Sequence, residues 1–274
     1  MSAVLRTASV WIAAFVLAVF LGAFLAALTA YQLTSEGTGK RILQRSVVVT
    51  TEVDALLPAI EEDLEVRTSS GVPETVTVRN FPIAVQLTRD EARNLRGPAL
   101  RDRIVTLAAD KLYEDGGGAW ASGDPAATPA VERFSAAGAI NYGLGWIRDS
   151  TNLGLLVLAV FLALMTLTMA VMTMAIMPWD MRLLVAGGVS LLAGLPLLAG
   201  AVAVRFVFRT ADAEGDPFVQ RMLDIGVDAM WVAIRNALVM CLVGFALVLI
   251  ASALLWWISR QSPHTGQSAL DTYR

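Results

Sequence analysis

Apolar residues run without interruption by charge in four stretches of this chain: Val10–Tyr31, Leu153–Met177, Leu183–Val204 and Ala237–Ile258. None of them contains Asp, Glu, Lys, Arg or His, and each is 22 to 25 residues long. At about 1.5 Å of rise per residue the shorter ones reach about 33 Å, enough for a hydrocarbon core of about 30 Å. The pattern predicts four transmembrane helices arranged as one span, a long polar insert, then three spans in close succession. The expected fold class is an α-helical integral membrane protein, with a small, mostly helical α+β soluble domain inserted between helices 1 and 2. Residues 1–32 hold the N-terminus and the first span, and 33–150 the inserted domain. Residues 151–260 hold three spans (153–177, 183–204 and 237–258) with an amphipathic helix at 216–235, and 261–274 read as a disordered tail. The first apolar run is longer than the 7–15 residues usual in a cleaved signal peptide, so it reads as a retained anchor.

Within the insert the periodicity changes. Thr34–Arg41 superficially has the look of a phosphate-binding loop. It lacks the first Gly, and Arg41 follows Lys40 where Ser or Thr is needed, so it reads as a juxtamembrane hinge. Val49, Val53, Leu56, Leu57, Ile60 and Leu64 then recur at helical spacing, with Pro58 expected to divide the segment or to begin its second half. The acidic run Glu61, Glu62, Asp63 and Glu65 reads as a solvated helix face. Alternation of Val76 and Val78, then of Ile83, Val85 and Leu87, predicts two short strands or one bent strand. Thr88 and Glu91 have the spacing of a capping box. Pro98 suits the first turn of a further helix, with Leu100, Ile104, Leu107, Ala108 and Leu112 on one face and a stop at Gly116. Residues 116–130 read as loop, with a short helix able to start at Thr128-Pro129. Tyr142 and Trp146 fall where amphipathic rings favour the membrane interface.

The spans carry two patterns beyond hydrophobicity. Ala14, Ala18, Gly22, Ala26 and Ala30 follow one another every four residues, and such small residues let helices approach closely in lipid. They are the candidate helix-packing residues. The third span has a shorter version, Ala186, Ser190 and Gly194, and Pro196 is expected to kink it. In the second span Met165, Met169 and Met172 share a face. Thioethers suit Cu(I), and a Met pair four residues apart is similar to the motif of copper transporters. The rest of that pattern is absent, so the expectation is no metal and no cofactor, with these methionines as gap fillers.

The best-organised polar feature precedes the fourth span. Asp216-Pro217 has the form of a helix cap. Arg221, Asp224, Asp228, Trp231 and Arg235 follow at spacings of 3, 4, 3 and 4, which places them on one helical stripe. Arg221 is spaced to pair with Asp224. The stripe reads either as a solvated face or as a surface docking on the insert or on a partner. Trp256, Trp257 and Arg260 mark the opposite membrane interface.

Composition narrows the class. The chain has 274 residues, 56% of them apolar, and a formal net charge of −3. Nothing in that balance favours nucleic acid as a partner. The expected partners are the lipid bilayer and either a protein or a second copy of the chain. The single cysteine, Cys241, lies inside the fourth span, so no intrachain disulfide holds the insert. Four spans place both termini on one side of a cell membrane. We expect an extracytoplasmic insert with cytoplasmic termini, because a signal anchor commonly exports the segment on its C-terminal side. The cation count points the other way. Arg6, Arg182, Arg260 and Arg274 would be inside, against Lys40, Arg41, Arg45, Arg148, Arg205, Arg209, Arg221 and Arg235 outside. The counting rule is meant for short loops, and the insert exceeds its range.

No acid, base or histidine lies within a span, and the only histidine, His264, is in the tail. HExxH, CxxC and GxSxG patterns are missing. The expectation is a non-enzyme whose extracytoplasmic domain binds, senses or scaffolds. The alternative is a membrane subunit of a transport or ATPase-coupled complex, since one span, a large domain and three spans is a layout similar to that of FtsX- or MacB-type subunits.

Overall fold

A computed structural model describes residues 3–69, 74–123, 143–211 and 217–261. Four helices are long and apolar enough to cross a membrane: Ser9–Thr34, Asp149–Ile176, Trp179–Thr210 and Phe218–Arg260. In chain order the elements are α1 (Ala3–Thr34), α2 (Glu36–Thr51), α3 (Val53–Ser69), β1 (Thr75–Thr77), β2 (Gln86–Thr88), α4 (Arg89–Asn94) and α5 (Gly97–Asp115). A 3₁₀ turn at Gly116–Ala121 follows, then α6 (Asp149–Ile176), a second 3₁₀ turn at Trp179–Met181, α7 (Arg182–Thr210) and α8 (Pro217–Gln261). Contacts divide the chain into two compact units. One comprises Met1–Ala26, Ala159–Val202 and Ala233–Arg274, the other Ala27–Leu158 and Ala203–Val232.

The first unit is built on small residues. A Cβ added at Gly187 would lie 2.7 Å from the Gly244 carbonyl oxygen and 2.9 Å from the Val248 nitrogen. A Cβ at Gly244 would lie 2.9 Å from the Gly187 carbonyl oxygen and 2.9 Å from the Ser190 Cβ, and one at Gly194 would lie 2.9 Å from the Cys241 sulfur. Helices α7 and α8 therefore meet backbone to backbone along Gly187, Ser190 and Gly194 on one side and Cys241, Gly244 and Val248 on the other. A second contact buries Ala14, Leu17 and Ala18 of α1 with Val189 of α7, while Met169 and Ala170 of α6 pack alongside. Elsewhere the large side chains point outward, among them Phe161, Leu167, Leu192, Phe245 and Leu249. Pro196 lies inside α7 on an exposed face.

The small-residue stripe of the first span does not form one face. Ala14 and Ala18 are buried, Gly22 has open space about it, Ala26 is exposed and Ala30 is half-buried. The reason is helical geometry: a step of four residues overshoots a full turn by about 40°. Over the four steps from Ala14 to Ala30 the drift is about 160°, and the two ends face opposite ways.

The second unit has a conventional core. Leu43 and Val47 of α2, Ile60 and Leu64 of α3, and Leu100, Ile104, Ala108 and Leu112 of α5 are buried together. Val76 and Leu87 of the ladder, and Val78, Phe81, Ile83 and Val85 between its strands, join them. The strands pair antiparallel in the register Thr75↔Thr88, Val76↔Leu87 and Thr77↔Gln86. They are shorter than the alternation suggested, and the apolar residues between them are buried without being in a strand. The capping box is present: the Glu91 amide donates to Thr88 Oγ1, and the Glu91 carboxylate accepts from the Thr88 amide at 2.9 Å. Gly97-Pro98 opens α5, and Gly116 ends it at φ 71°, a conformation that a side chain disfavours.

Three local expectations are corrected. The segment 34–41, expected as a juxtamembrane hinge, is helical on both sides of Ser35. The break is confined to Ser35, whose carbonyl accepts from the Thr38 and Gly39 amides at 3.1 and 2.6 Å, so α2 starts at once. Gly39 is needed there because a Cβ would lie 2.8 Å from Ile147 Cγ2. The apolar run from Val49 breaks at Glu52, which takes φ 47°, and not at Pro58, which is accommodated inside α3. Proline removes one donor but leaves the helix free to continue where the carbonyl it would meet tilts away. The start of the 116–130 loop is a 3₁₀ turn. The helix expected at Thr128-Pro129, together with Tyr142, Asp216, His264 and the tail beyond Gln261, lies outside the described residues.

Candidate functional site

Helix α8 runs for 45 residues from Pro217 to Gln261, and its polar beginning belongs to the second unit. In the second unit that polar beginning faces α2 and α5. Between them lies a groove of about 650 Å³. Its apolar residues are Val48 and Val49 of α2, Val105 of α5 and Ile225 of α8. Its charged residues are three arginines (Arg45, Arg101 and Arg221) and three aspartates (Asp102, Asp224 and Asp228). Gln44 and Thr106 complete the lining.

The charges are unequally engaged. Arg45 Nη1 donates to Asp228 Oδ2 at 2.7 Å and ties α2 to α8. Both side chains keep over half of their exposure, 63% and 65%, so the pair is weak and salt-sensitive. Arg101 Nε donates to Asp54 Oδ1 at 2.5 Å, and its Nη1 to Asp102 Oδ1 at 3.0 Å. The hydrogen bond to Asp54 raises the pKa of the guanidinium above its ordinary value, against a lowering by burial, and Asp102 adds to the rise. Arg101 is thus a fixed part of the wall.

Of the stripe, Arg221, Asp224 and Asp228 come together in the groove. All three are exposed. The Arg221–Asp224 pair is not formed; the ion pair of this segment runs across to α2 instead, because Asp228 meets Arg45 there. Trp231 does not line the groove. It lies beneath Arg205 of α7, whose guanidinium carbon is 5.3 Å from the ring centroid. Arg235, one turn further on, is exposed. No known protein family, curated protein or solved structure matches this chain.

The other candidates fall elsewhere. Met165 and Met169 are half-buried, Met169 against the Ala14–Val189 cluster, and Met172 is exposed. The acidic run of α3 is used structurally: Glu61 Oε1 accepts from the Gly97 amide at 2.5 Å, and Asp63 pairs with Arg67 at 3.3 Å. Among the described residues no group of three or more His, Cys, Asp or Glu is placed to hold a metal ion. Trp256 carries Arg260 at 3.8 Å, and Trp179 carries Arg182 at 4.8 Å.

A second polar constellation was invisible in the sequence. The last carbonyls of α1 have no helical donors of their own. The Asn152 amide donates to the Tyr31 carbonyl at 3.0 Å and to Thr34 Oγ1 at 3.2 Å, and the Tyr113 hydroxyl donates to the Thr34 carbonyl at 3.1 Å. Lys40 bridges Asp110 at 2.8 Å and Glu36 at 3.0 Å, 5.6 Å from the Tyr113 ring centroid. The hydrogen bond to Asp110, then that to Glu36, raises the pKa of its ammonium well above the ordinary value. These residues come from helices far apart in sequence, and no local motif announces them.

Proposed function

We infer that this chain is an integral membrane protein that binds a protein partner in the α2–α5–α8 groove. Residues 33–150 then act as an extracytoplasmic binding, sensing or scaffolding unit. One observation supports this reading best. Part of the polar stripe expected to dock, Arg221, Asp224 and Asp228, lines a groove that also carries Val48, Val49, Val105 and Ile225 and charges of both signs. Such a surface suits an amphipathic segment, which buries an apolar face and matches charges along its edges.

The test uses the full chain in a Cys241→Ser background. A Glu62→Cys label site lies away from the groove and a Thr106→Cys site lies in it. The expected result is that Glu62→Cys is labelled from outside intact cells, while Thr106→Cys is labelled more slowly in cells than in purified protein. Labelling of Glu62→Cys only after lysis would reverse the orientation. Equal rates at Thr106→Cys in cells and in detergent would remove the partner from the groove.

The alternative is a membrane subunit of an ATPase-coupled complex. The one-plus-three order of the four long apolar helices is the observation behind it. It predicts that an ATPase co-purifies with the chain and that a helix-breaking Gly pair at Ala233-Ile234 uncouples the two.

A further inference from the structure

The third apolar run ends at Val204, so Arg205 is the first charged residue beyond it. It sits where hydrocarbon gives way to headgroups. Its surroundings are built rather than incidental. Gly226 of α8 lies so close to Phe208 of α7 that a Cβ there would be 2.8 Å from the ring. That approach sets Trp231, further along α8, over the Arg205 guanidinium. The Nε of Arg205 is buried and has no hydrogen-bond partner among the described residues. The acid that shares the Trp231 face one turn earlier, Asp228, is taken by Arg45. Arg205 as a whole is only half-buried, but native structures supply a buried donor atom with an acceptor.

We propose that Arg205 and Trp231 form a binding site for the phosphate of an anionic phospholipid. At this depth the available acceptor is a lipid phosphate, and a guanidinium binds phosphate oxygens in a planar, forked geometry. Arg209, one turn further from the span and exposed, places a second cation on the same face of α7. With two cations and, among the described residues, no acid paired to either, the site favours a headgroup whose phosphate is not already neutralised by its own ammonium. Val204, Phe206 and Val207 are exposed beside it and give the acyl chains an apolar wall. The Trp231 ring holds the guanidinium from its face and leaves the edge for the phosphate. The site is independent of the groove, and requires only that α7 cross the membrane.

Native mass spectrometry of the full chain in mild detergent, titrated with phosphatidylglycerol and with phosphatidylcholine, tests the assignment. Wild type should retain phosphatidylglycerol over phosphatidylcholine. Arg205→Gln should weaken that retention about tenfold, as expected for loss of a charge-assisted contact. Trp231→Leu should lower it less, and Arg205→Lys should restore part of it. Inorganic phosphate in excess should not displace the lipid; displacement would make the ligand a free oxyanion and overturn the lipid assignment. Equal retention by wild type and Arg205→Gln, or equal binding of the two lipids by wild type, would overturn it as well. Should Arg205→Gln fail to fold, Trp231→Leu and Arg205→Lys decide: both unchanged from wild type means no site.

Discussion

The two units of this chain pack by opposite rules. In the second unit large side chains are inside: Phe81, Ile83, Leu87, Leu100 and Ile104 are all at 0% exposure. Where α7 and α8 meet, the inside is Gly187, Ser190, Gly194 and Gly244, while Leu192, Leu242, Phe245 and Leu249 face out. Each rule is the one that a different solvent favours. Water drives apolar volume inward, so a soluble core gains from bulk. Lipid is as apolar as leucine and drives nothing inward, so helices gain only from close contact, which small residues permit. The same substitution therefore has opposite meanings in the two regions.

Cutting a large side chain from the insert breaks the comparison at its strongest point. Phe81→Ala should cost about 3–5 kcal/mol, because a buried aromatic leaves a cavity that its neighbours fill only in part. The measurement is chemical unfolding of the full chain in detergent, followed by protease protection of the insert. Phe245→Ala, an equal truncation on an outward face of α8, should change stability little. Equal losses at both positions would mean that α8 is buried by a partner there.

Enlarging a small residue should do the reverse. Gly244→Val places its side chain against the Gly187 carbonyl and Ser190 Cβ, each 2.9 Å from the added Cβ. Overpacking of this kind costs about 1–3 kcal/mol and forces α7 and α8 apart. Cysteine crosslinking between Ala186 and Val248 in a Cys241→Ser background reads the separation directly. Gly22→Val, with nothing within 4 Å of its Cβ, should leave the helices where they are.

The contrast also explains which features were legible in the sequence. Four charge-free runs suffice to place four long apolar helices, because length and hydropathy are local properties. The capping box at Thr88 and Glu91 was equally readable, being four consecutive residues. The break at Glu52 was not, since nothing local distinguishes that glutamate from its neighbours. Periodicity also placed Arg221, Asp224 and Asp228 on one face, but not what they face. The opposite wall comes from Arg45, Val49, Arg101 and Val105, more than a hundred residues earlier, and long-range pairing leaves no local trace. The small-residue stripe misled for a related reason. Spacing by four looks like a face over two turns and is a spiral over five. Of the shorter pattern at Ala186, Ser190 and Gly194, the last two do lie on the seam with α8, beside Gly187.

Acid separates the two regions by the smallest effect. The first unit is held by packing among apolar spans, so protonation has little to act on there. The insert relies in part on carboxylates. Burial pushes the pKa of Glu91 up, but the hydrogen bonds from Thr88 outweigh it, aided by Arg103 at 2.7 Å, and the net value lies below the ordinary 4.5. A depressed folded-state value means that the ionised carboxylate stabilises the fold. That contribution is complete above pH 4.5 and is lost as the pH falls through the lower, folded-state value. Thr88→Ala removes the same cap at neutral pH and should cost about 1 kcal/mol. Glu91→Gln should cost less at pH 7 and nothing further in acid, because the amide cannot titrate. The wild-type insert should then lose its margin over Glu91→Gln as acid is added, while crosslinking of the α7–α8 seam stays constant. If the seam opens over the same acid range, the two regions do not melt separately and the division by packing rule fails.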